Sequence, residues 1–232
     1  MPTSPSASTT TTKPARKRVP HHFTTLLITE LAFILGYPFV VETAVHDELF
    51  RLLAVLIFCA SLYAVLGRGR ITLLAFILGV PAILIHMANV CGYLQSWKVA
   101  SLALGVVFLA YITTVFIWAI VKNPSVTVDT LAGAVSAYML VGITYGLAYG
   151  MIEQLQPGSF RDTVLPGKHF MPSELTFFSF VTLTTVGYGD IIPWSAHARS
   201  LAMLEAVTGI MYPAVLIGRL VGLHGHKQEE PS

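Results

Sequence analysis

Thr184-Thr185-Val186-Gly187-Tyr188-Gly189-Asp190 is the stretch from which the rest of this chain is read. Gly187 and Gly189 reach backbone conformations that residues with a Cβ avoid. Successive carbonyl oxygens from Thr185 to Gly189 are then free to point toward one axis. A ring of such oxygens replaces the water shell of a bare monovalent cation. The apolar piece just before it, Leu175–Thr184, is too short to cross a bilayer, which takes about 20 residues. Pro172 and Ser173 stand where a helix would start. A short helix that enters and leaves by one membrane face fits this piece.

Working outward, six longer apolar stretches appear: Phe23–Val41, Leu49–Leu66, Ile71–Val90, Val99–Val121, Thr130–Met151 and Ala198–Leu223. Charged residues make up 11% of the chain and apolar ones 54%. A soluble domain carries about 25% charged residues. The sequence therefore predicts an all-α membrane protein with six transmembrane helices, a re-entrant pore helix and a filter loop. Irregular backbone at membrane depth must be enclosed by protein or line an aqueous cavity. Cys59 and Cys91 offer neither a disulfide framework nor a metal spacing.

Residues 1–22 are rich in Ser, Thr and Pro and end in the basic cluster Lys13, Arg16, Lys17 and Arg18. They predict a disordered basic tail. The apolar run after them is too long for a signal peptide, so it reads as an uncleaved first helix. With the N-terminus in the cytoplasm, nine Lys and Arg fall on the inner side and five on the outer. That bias favours this orientation. Both termini are then cytoplasmic in a multi-pass cell membrane protein. Four closely spaced helices occupy residues 23–123, a pore unit residues 124–223, and a short tail residues 224–232. One filter sequence per chain cannot surround an ion, so a homotetramer with cyclic symmetry is expected.

The order Thr-Val-Gly-Tyr-Gly after a half-length apolar helix resembles the tetrameric potassium-channel family, over roughly Thr130 to Gly222. This loop is the standard example of selectivity by carbonyl rings, so the assignment rests on resemblance. The resemblance implies passive, K+-selective conduction, with K+ as permeant ion and no organic cofactor. It implies K+ held by Thr185, Val186, Gly187 and Tyr188, with Gly189 closing the filter. Val186 and Tyr188 side chains are expected to turn away from the axis onto the short helix. Thr184, Asp190, Phe177, Phe178, Val181 and Glu205 are expected to support the filter. The chain departs from the family in two places. Phe177 and Phe178 stand where many members have tryptophans, and a phenyl ring cannot donate a hydrogen bond to Asp190. Val181 stands where some bacterial members have a glutamate. Trp194 is a candidate substitute donor, or an interfacial anchor.

Gly209 matches the family's inner-helix hinge, and Pro213 one turn later favours a kink. The alternative is that Gly209 permits close packing and Pro213 fixes a static bend. Glu205 is the acid inside the same helix, where a charge costs about 2.5–3.5 kcal/mol on insertion scales. It reads either as a cation-attracting ring or, preferred from its height, as a prop behind the filter bonded to Thr182 or Thr184. Glu30 in the first helix is similarly placed, with no partner evident.

The fourth helix, Val99–Val121, has no charge between Lys98 and Lys122. A transmembrane field has nothing to pull there, since each moved charge yields about 2.3 kcal/mol per 100 mV. The four-helix unit therefore reads as lacking a voltage sensor. Arg68 and Arg70 suit anionic lipid headgroups. No catalytic constellation, nucleotide loop or nucleic-acid surface is present in the sequence, which predicts no enzyme activity and no nucleic-acid partner. Two competing readings are a nonselective cation channel and a non-conducting sensor or scaffold with a vestigial pore. A multi-filter uptake transporter fits less well, because the chain carries a single filter.

Overall fold

The computed structural model describes residues 22–41, 46–67, 69–90, 97–122, 127–165, 167 and 169–226. The basic tail up to residue 21, Arg68, Pro124, Lys168 and residues 227–232 lie outside the described residues, as do the side chains of residues 22, 37–41, 46–49, 51, 90, 220 and 222–226. The elements are α1 (His22–Val41), α2 (His46–Ala64), α3 (Arg70–Val90), α4 (Lys98–Lys122), α5 (Val128–Leu155), β1 (Phe160–Asp162), α6 (Pro172–Leu183), β2 (Ile191–Pro193) and α7 (Ala196–His226). Segments Arg70–Asn89, Lys98–Lys122, Val128–Leu155 and Ala196–Arg219 are long and apolar enough to cross a membrane. The described apolar stretches of α1 and α2, Phe23–Gly36 and Leu52–Ala64, are shorter.

The described residues are mostly helical, as an all-α fold requires, with one short two-stranded ribbon besides. β1 and β2 pair antiparallel, with Phe160 opposite Pro193 and Asp162 opposite Ile191. They are the two segments that flank α6 and the loop after it. β-Branched Ile191 and Ile192 suit a strand, and Pro193 sits at its end, where a missing N–H costs no ladder bond.

α5 is the central helix. It packs most extensively on α4 and α6, and also takes α1 and α7. Thr127 caps its start by accepting from the Thr130 N–H at 3.2 Å, which satisfies one of the orphan donors of the first turn. Asp129 in that turn accepts from the Thr24 hydroxyl of α1 at 3.0 Å. The larger core joins α1 to α5 through Leu26, Phe58, Phe108, Phe116 and Leu140. Its aromatic pairs meet edge to face, Phe58 on Phe108 at 5.5 Å and Phe23 on Phe116 at 4.9 Å. Lipid tails are as apolar as leucine, so such close packing is what holds helices together in a bilayer. A second core of Tyr149, Phe160, Leu175, Phe178, Ile191 and Ala198 surrounds the start of α6.

α7 differs from the rest. Only 11% of its membrane window is buried within the chain, against 61% for α5. Met203, Leu204, Val207, Ile210, Met211 and Val215 are each more than half exposed in the single chain.

Candidate functional site

α6 starts where Pro172 and its flank predict. Proline at the first turn has no N–H to leave unsatisfied. Glu174 reaches back to accept from the Met171 N–H at 2.9 Å. The helix stops at Thr184, whose N–H still bonds Phe180 O at 3.0 Å. Beyond it the chain turns back along the helix. The N–H of Thr185 bonds Thr182 O at 3.0 Å, and those of Val186 and Gly187 bond Val181 O at 2.9 and 3.4 Å. The Val181 carbonyl therefore holds the loop that follows α6.

The backbone conformation alternates. Thr185, Gly187 and Gly189 have φ of +60°, +58° and +77°, whereas Val186 and Tyr188 are not in the positive region. Alternating handedness turns successive N–H groups to one side, leaving the C=O groups on the other. The N–H groups face α6, and no donor among the described residues reaches the carbonyls of Thr185, Val186, Gly187 or Tyr188. Glycine serves two of the three left-handed positions. Thr185 holds the third, a conformation uncommon for a β-branched residue and associated with functional sites.

Tyr188 stacks on Phe177 with rings 6.2 Å apart and 6° from parallel. It remains 70% exposed in the single chain, and Val186 53%. Phe178 behaves differently from Phe177. It turns inward to Tyr149 at 5.1 Å and Phe160 at 5.4 Å, so it anchors α6 to α5 and β1. The Thr184 hydroxyl donates back to Phe180 O at 2.6 Å. Asp190 accepts from the Ile191 N–H at 2.9 Å, and its backbone carbonyl accepts from the Thr163 N–H at 2.9 Å. The Thr163 hydroxyl also donates to Gly189 O at 3.0 Å, which ties Gly189 to the loop after β1. Trp194 is not the substitute donor for Asp190. Its ring lies under Arg161 at 3.5 Å, with Arg199 at 5.6 Å, a cation–π cluster beside the β ribbon.

Two helices grip α6 by backbone proximity. A Cβ on Gly146 of α5 would sit 2.9 Å from Thr176 Cα. One on Gly209 of α7 would sit 2.0 Å from the Leu183 carbonyl oxygen. The close-packing role of Gly209 thus has a direct structural cause. Pro213 has no N–H for the Gly209 carbonyl, the partner four residues back. Even so, α7 continues as one helix through both residues.

Glu205 is fully buried and does not line an open surface of the chain. Its partners correct the expectation of Thr182 or Thr184. Tyr149 Oη lies 2.5 Å from Oε2, and Ser179 Oγ lies 2.5 Å from Oε1. Ser179 Oγ is also 2.6 Å from Gly142 O. Tyr138 donates to Leu183 O at 3.2 Å, Tyr145 pairs with Thr208 at 3.3 Å, and Tyr212 donates to Ala134 O at 2.7 Å. These tyrosines and Ser179 were not singled out from the sequence. A signal was available, since hydroxyl-bearing residues at 138, 145 and 149 of one apolar helix need buried partners. Glu30 finds Ser136 of α5, which donates at 2.6 Å, and its second oxygen has no partner among the described residues.

The geometry is that of a short helix and its return loop held between two long helices, α5 and α7, that are apolar enough to cross a membrane. Residues 138–223 match a family model described as "Ion channel". The chain is similar to the inward rectifier potassium channel Kirbac3.1 of Paramagnetospirillum magnetotacticum, 35% identical over 82 residues, covering 34% of this chain and 24% of the relative. It is similar to two-pore potassium channel 4 of Arabidopsis thaliana, 34% identical over 62 residues, 27% of this chain and 22% of the relative. Two-pore potassium channel 1 of the same plant matches at 35% over 69 residues, 30% and 19% of the two chains. The matched segments thus span a quarter or less of these relatives. No solved structure gives a significant match. The resemblance to the potassium-channel family read from the filter is borne out, and ion channels are not enzymes.

Proposed function

We propose that this protein is a potassium-selective channel whose filter is built from four copies of Thr185-Val186-Gly187-Tyr188-Gly189. The observation that carries the reading is the row of carbonyls from Thr185 to Tyr188, turned away from α6 by alternating φ and free of donors among the described residues. Such oxygens are costly to leave without a partner inside a membrane. A K+ ion that sheds its water supplies the partner. One chain offers the row from one side only. The exposed Val186 and Tyr188 and the uncovered face of α7 support a homotetramer around a central axis.

In this reading six helices cross a cell membrane, both termini are cytoplasmic, and the filter opens outward. Arg70 at the start of α3 faces anionic headgroups. Conduction is passive, and α4 supplies no gating charge to a membrane field. Glu205, Phe177, Val181, Thr184 and Asp190 hold the filter, and α7 around Gly209 and Pro213 is the segment that opens or closes the inner pore. Purified protein in liposomes tests this. A K+ flux at least about tenfold above the Na+ flux is expected, since losing one well-matched coordination shell costs more than about 1.4 kcal/mol. Equal K+ and Na+ fluxes would establish the nonselective channel instead. No flux of either ion, from protein shown to be tetrameric, would establish the vestigial pore.

A further inference from the structure

We propose that Glu205 is a proton-carrying positioning residue: a carboxylic acid that donates to Ser179, and by that bond locks the inner helix α7 to the pore helix α6 behind the filter. This rests on the pore reading above and adds a chemical state and a role that the filter motif does not contain.

The argument is a count of hydrogens. Ser179 has one hydroxyl hydrogen. Its oxygen lies 2.6 Å from Gly142 O and 2.5 Å from Glu205 Oε1. A carbonyl has no hydrogen to give, so the Ser179 hydrogen goes to Gly142. Each separation lies in the range of its own full O–H···O hydrogen bond, and one hydrogen makes one such bond. Two oxygens with no hydrogen between them would repel at 2.5 Å, so the Glu205–Ser179 contact needs a hydrogen from the carboxyl. Tyr149 Oη, 2.5 Å from the other carboxyl oxygen, supplies the remaining donor. The result is a directed chain: Tyr149 to Glu205, Glu205 to Ser179, Ser179 to the α5 backbone at Gly142. It closes with every hydrogen placed and with no cation required. Among the described residues no Lys or Arg partners the carboxyl, and Glu205 and Ser179 are fully buried.

The lock sits where displacement matters. Ser179 is six residues before Thr185, on the same face of α6 as Leu183, two turns from the filter's inner end. Glu205 is one turn before Gly209, which touches Leu183 O. The other ionisable groups near the carboxyl are the tyrosines of α5, Tyr138, Tyr145 and Tyr149. α6 contributes only the hydroxyl of Ser179.

A glutamine at 205 has the shape of the protonated acid. Its NH2 donates to Ser179 and its carbonyl accepts from Tyr149, but it cannot ionise. Full-length wild type, Glu205→Gln and Glu205→Ala are reconstituted and compared by infrared difference spectroscopy and by K+ and Na+ flux. Wild type should show a protonated-carboxyl C=O band that disappears in E205Q while Glu30 is unchanged. E205Q should keep K+ flux and selectivity close to wild type. E205A leaves the Ser179 oxygen without its donor and the Tyr149 hydroxyl without its acceptor, and should lose about tenfold or more of flux or selectivity. If E205A does not assemble, the E205Q comparison and the infrared band decide alone. A spectrum unchanged by E205Q overturns the assignment of the proton. E205Q as damaged as E205A overturns the donating role. The infrared readout does not depend on conduction, so a wild type that fails to select K+ would sink the pore reading and leave this test standing.

Discussion

Gly209→Ala separates the two roles that a glycine in the inner helix can have, because they give opposite signs. If Gly209 serves only as a hinge, alanine removes flexibility and strengthens the helix by about 1 kcal/mol. The protein should then melt at the same temperature or higher, with gating altered. The structure argues for the reverse. The new Cβ would stand 2.0 Å from Leu183 O, 2.9 Å from its carbonyl carbon and 3.2 Å from its Cα. Ordinary contact begins at 3.4 Å, so α6 and α7 must part by about 1.4 Å along the line to that oxygen. The obstacle is backbone, which cannot rotate aside as a side chain would. The same oxygen accepts from Tyr138, so moving it strains a second bond. Overpacking of this kind costs about 1–3 kcal/mol, which outweighs the helix-propensity gain. Thermal melting of the purified protein in detergent, with K+ flux in liposomes, is the assay. A lower melting temperature and reduced flux are expected. Gly218→Ala is the control, since a Cβ there meets nothing within 4 Å in the single chain. G209A melting at or above wild type would refute the contact and return the residue to the hinge.

Tyr138→Phe removes the donor to Leu183 O and should lower stability by about 0.5–1.5 kcal/mol, read as a fall in melting temperature with the tetramer retained. Phe177→Ala deletes the ring stacked on Tyr188, a pair worth about 0.5–1.5 kcal/mol beyond its area. Its signature should be a larger loss of K+ over Na+ selectivity than of assembly, and selectivity equal to wild type would remove Phe177 from the filter's support. Ser136→Ala takes away the hydroxyl bonded to Glu30, leaving a buried carboxyl unpaired at a cost of about 1–3 kcal/mol. Glu30→Ala in the same background should recover part of the loss. Recordings over a wide voltage range should show conductance with no steep voltage dependence, because α4 has no charge from Val99 to Val121. A steep dependence would locate gating charge elsewhere.

The short helix α6 and the turn after it were legible in the sequence because their signals are local. An apolar run with Pro172 ahead and two glycines behind fixes a short helix and its return within a few residues. The β ribbon was not, since Phe160–Asp162 and Ile191–Pro193 are short and become a pair only once the filter excursion brings their ends together. Glu205 shows the same division at one residue. Its burial followed from depth in an apolar helix. Its partners did not, because whether Ser179 or Thr182 faces it depends on the rotation of α6 about its axis. That rotation is set by Gly146 and Gly209, where contact distances rather than residue types decide. Phe178 and Phe177 are adjacent in sequence and split for the same reason, one turned to α5 and the other to Tyr188.

The packing also limits how the first four helices can influence conduction. α1 reaches α5 through Thr24 to Asp129, Glu30 to Ser136 and Phe23 against Gly133. α4 packs along α5 more extensively than on any other helix. α5 in turn holds α6 through Ser179 to Gly142, Tyr138 to Leu183 and the close approach at Gly146. A displacement in the four-helix unit therefore reaches the filter chiefly by moving α5 as a body, and the bond at Ser136 lies two residues from Tyr138. The Ser136→Ala substitution should then report on coupling as well as on stability. If α5 transmits as a rigid rod, loosening α1 at that point should change flux without changing the K+ to Na+ ratio, because every bond between α5 and α6 is left in place. A change in the ratio from a substitution so far from the carbonyl row would mean that α5 bends between Ser136 and Gly142.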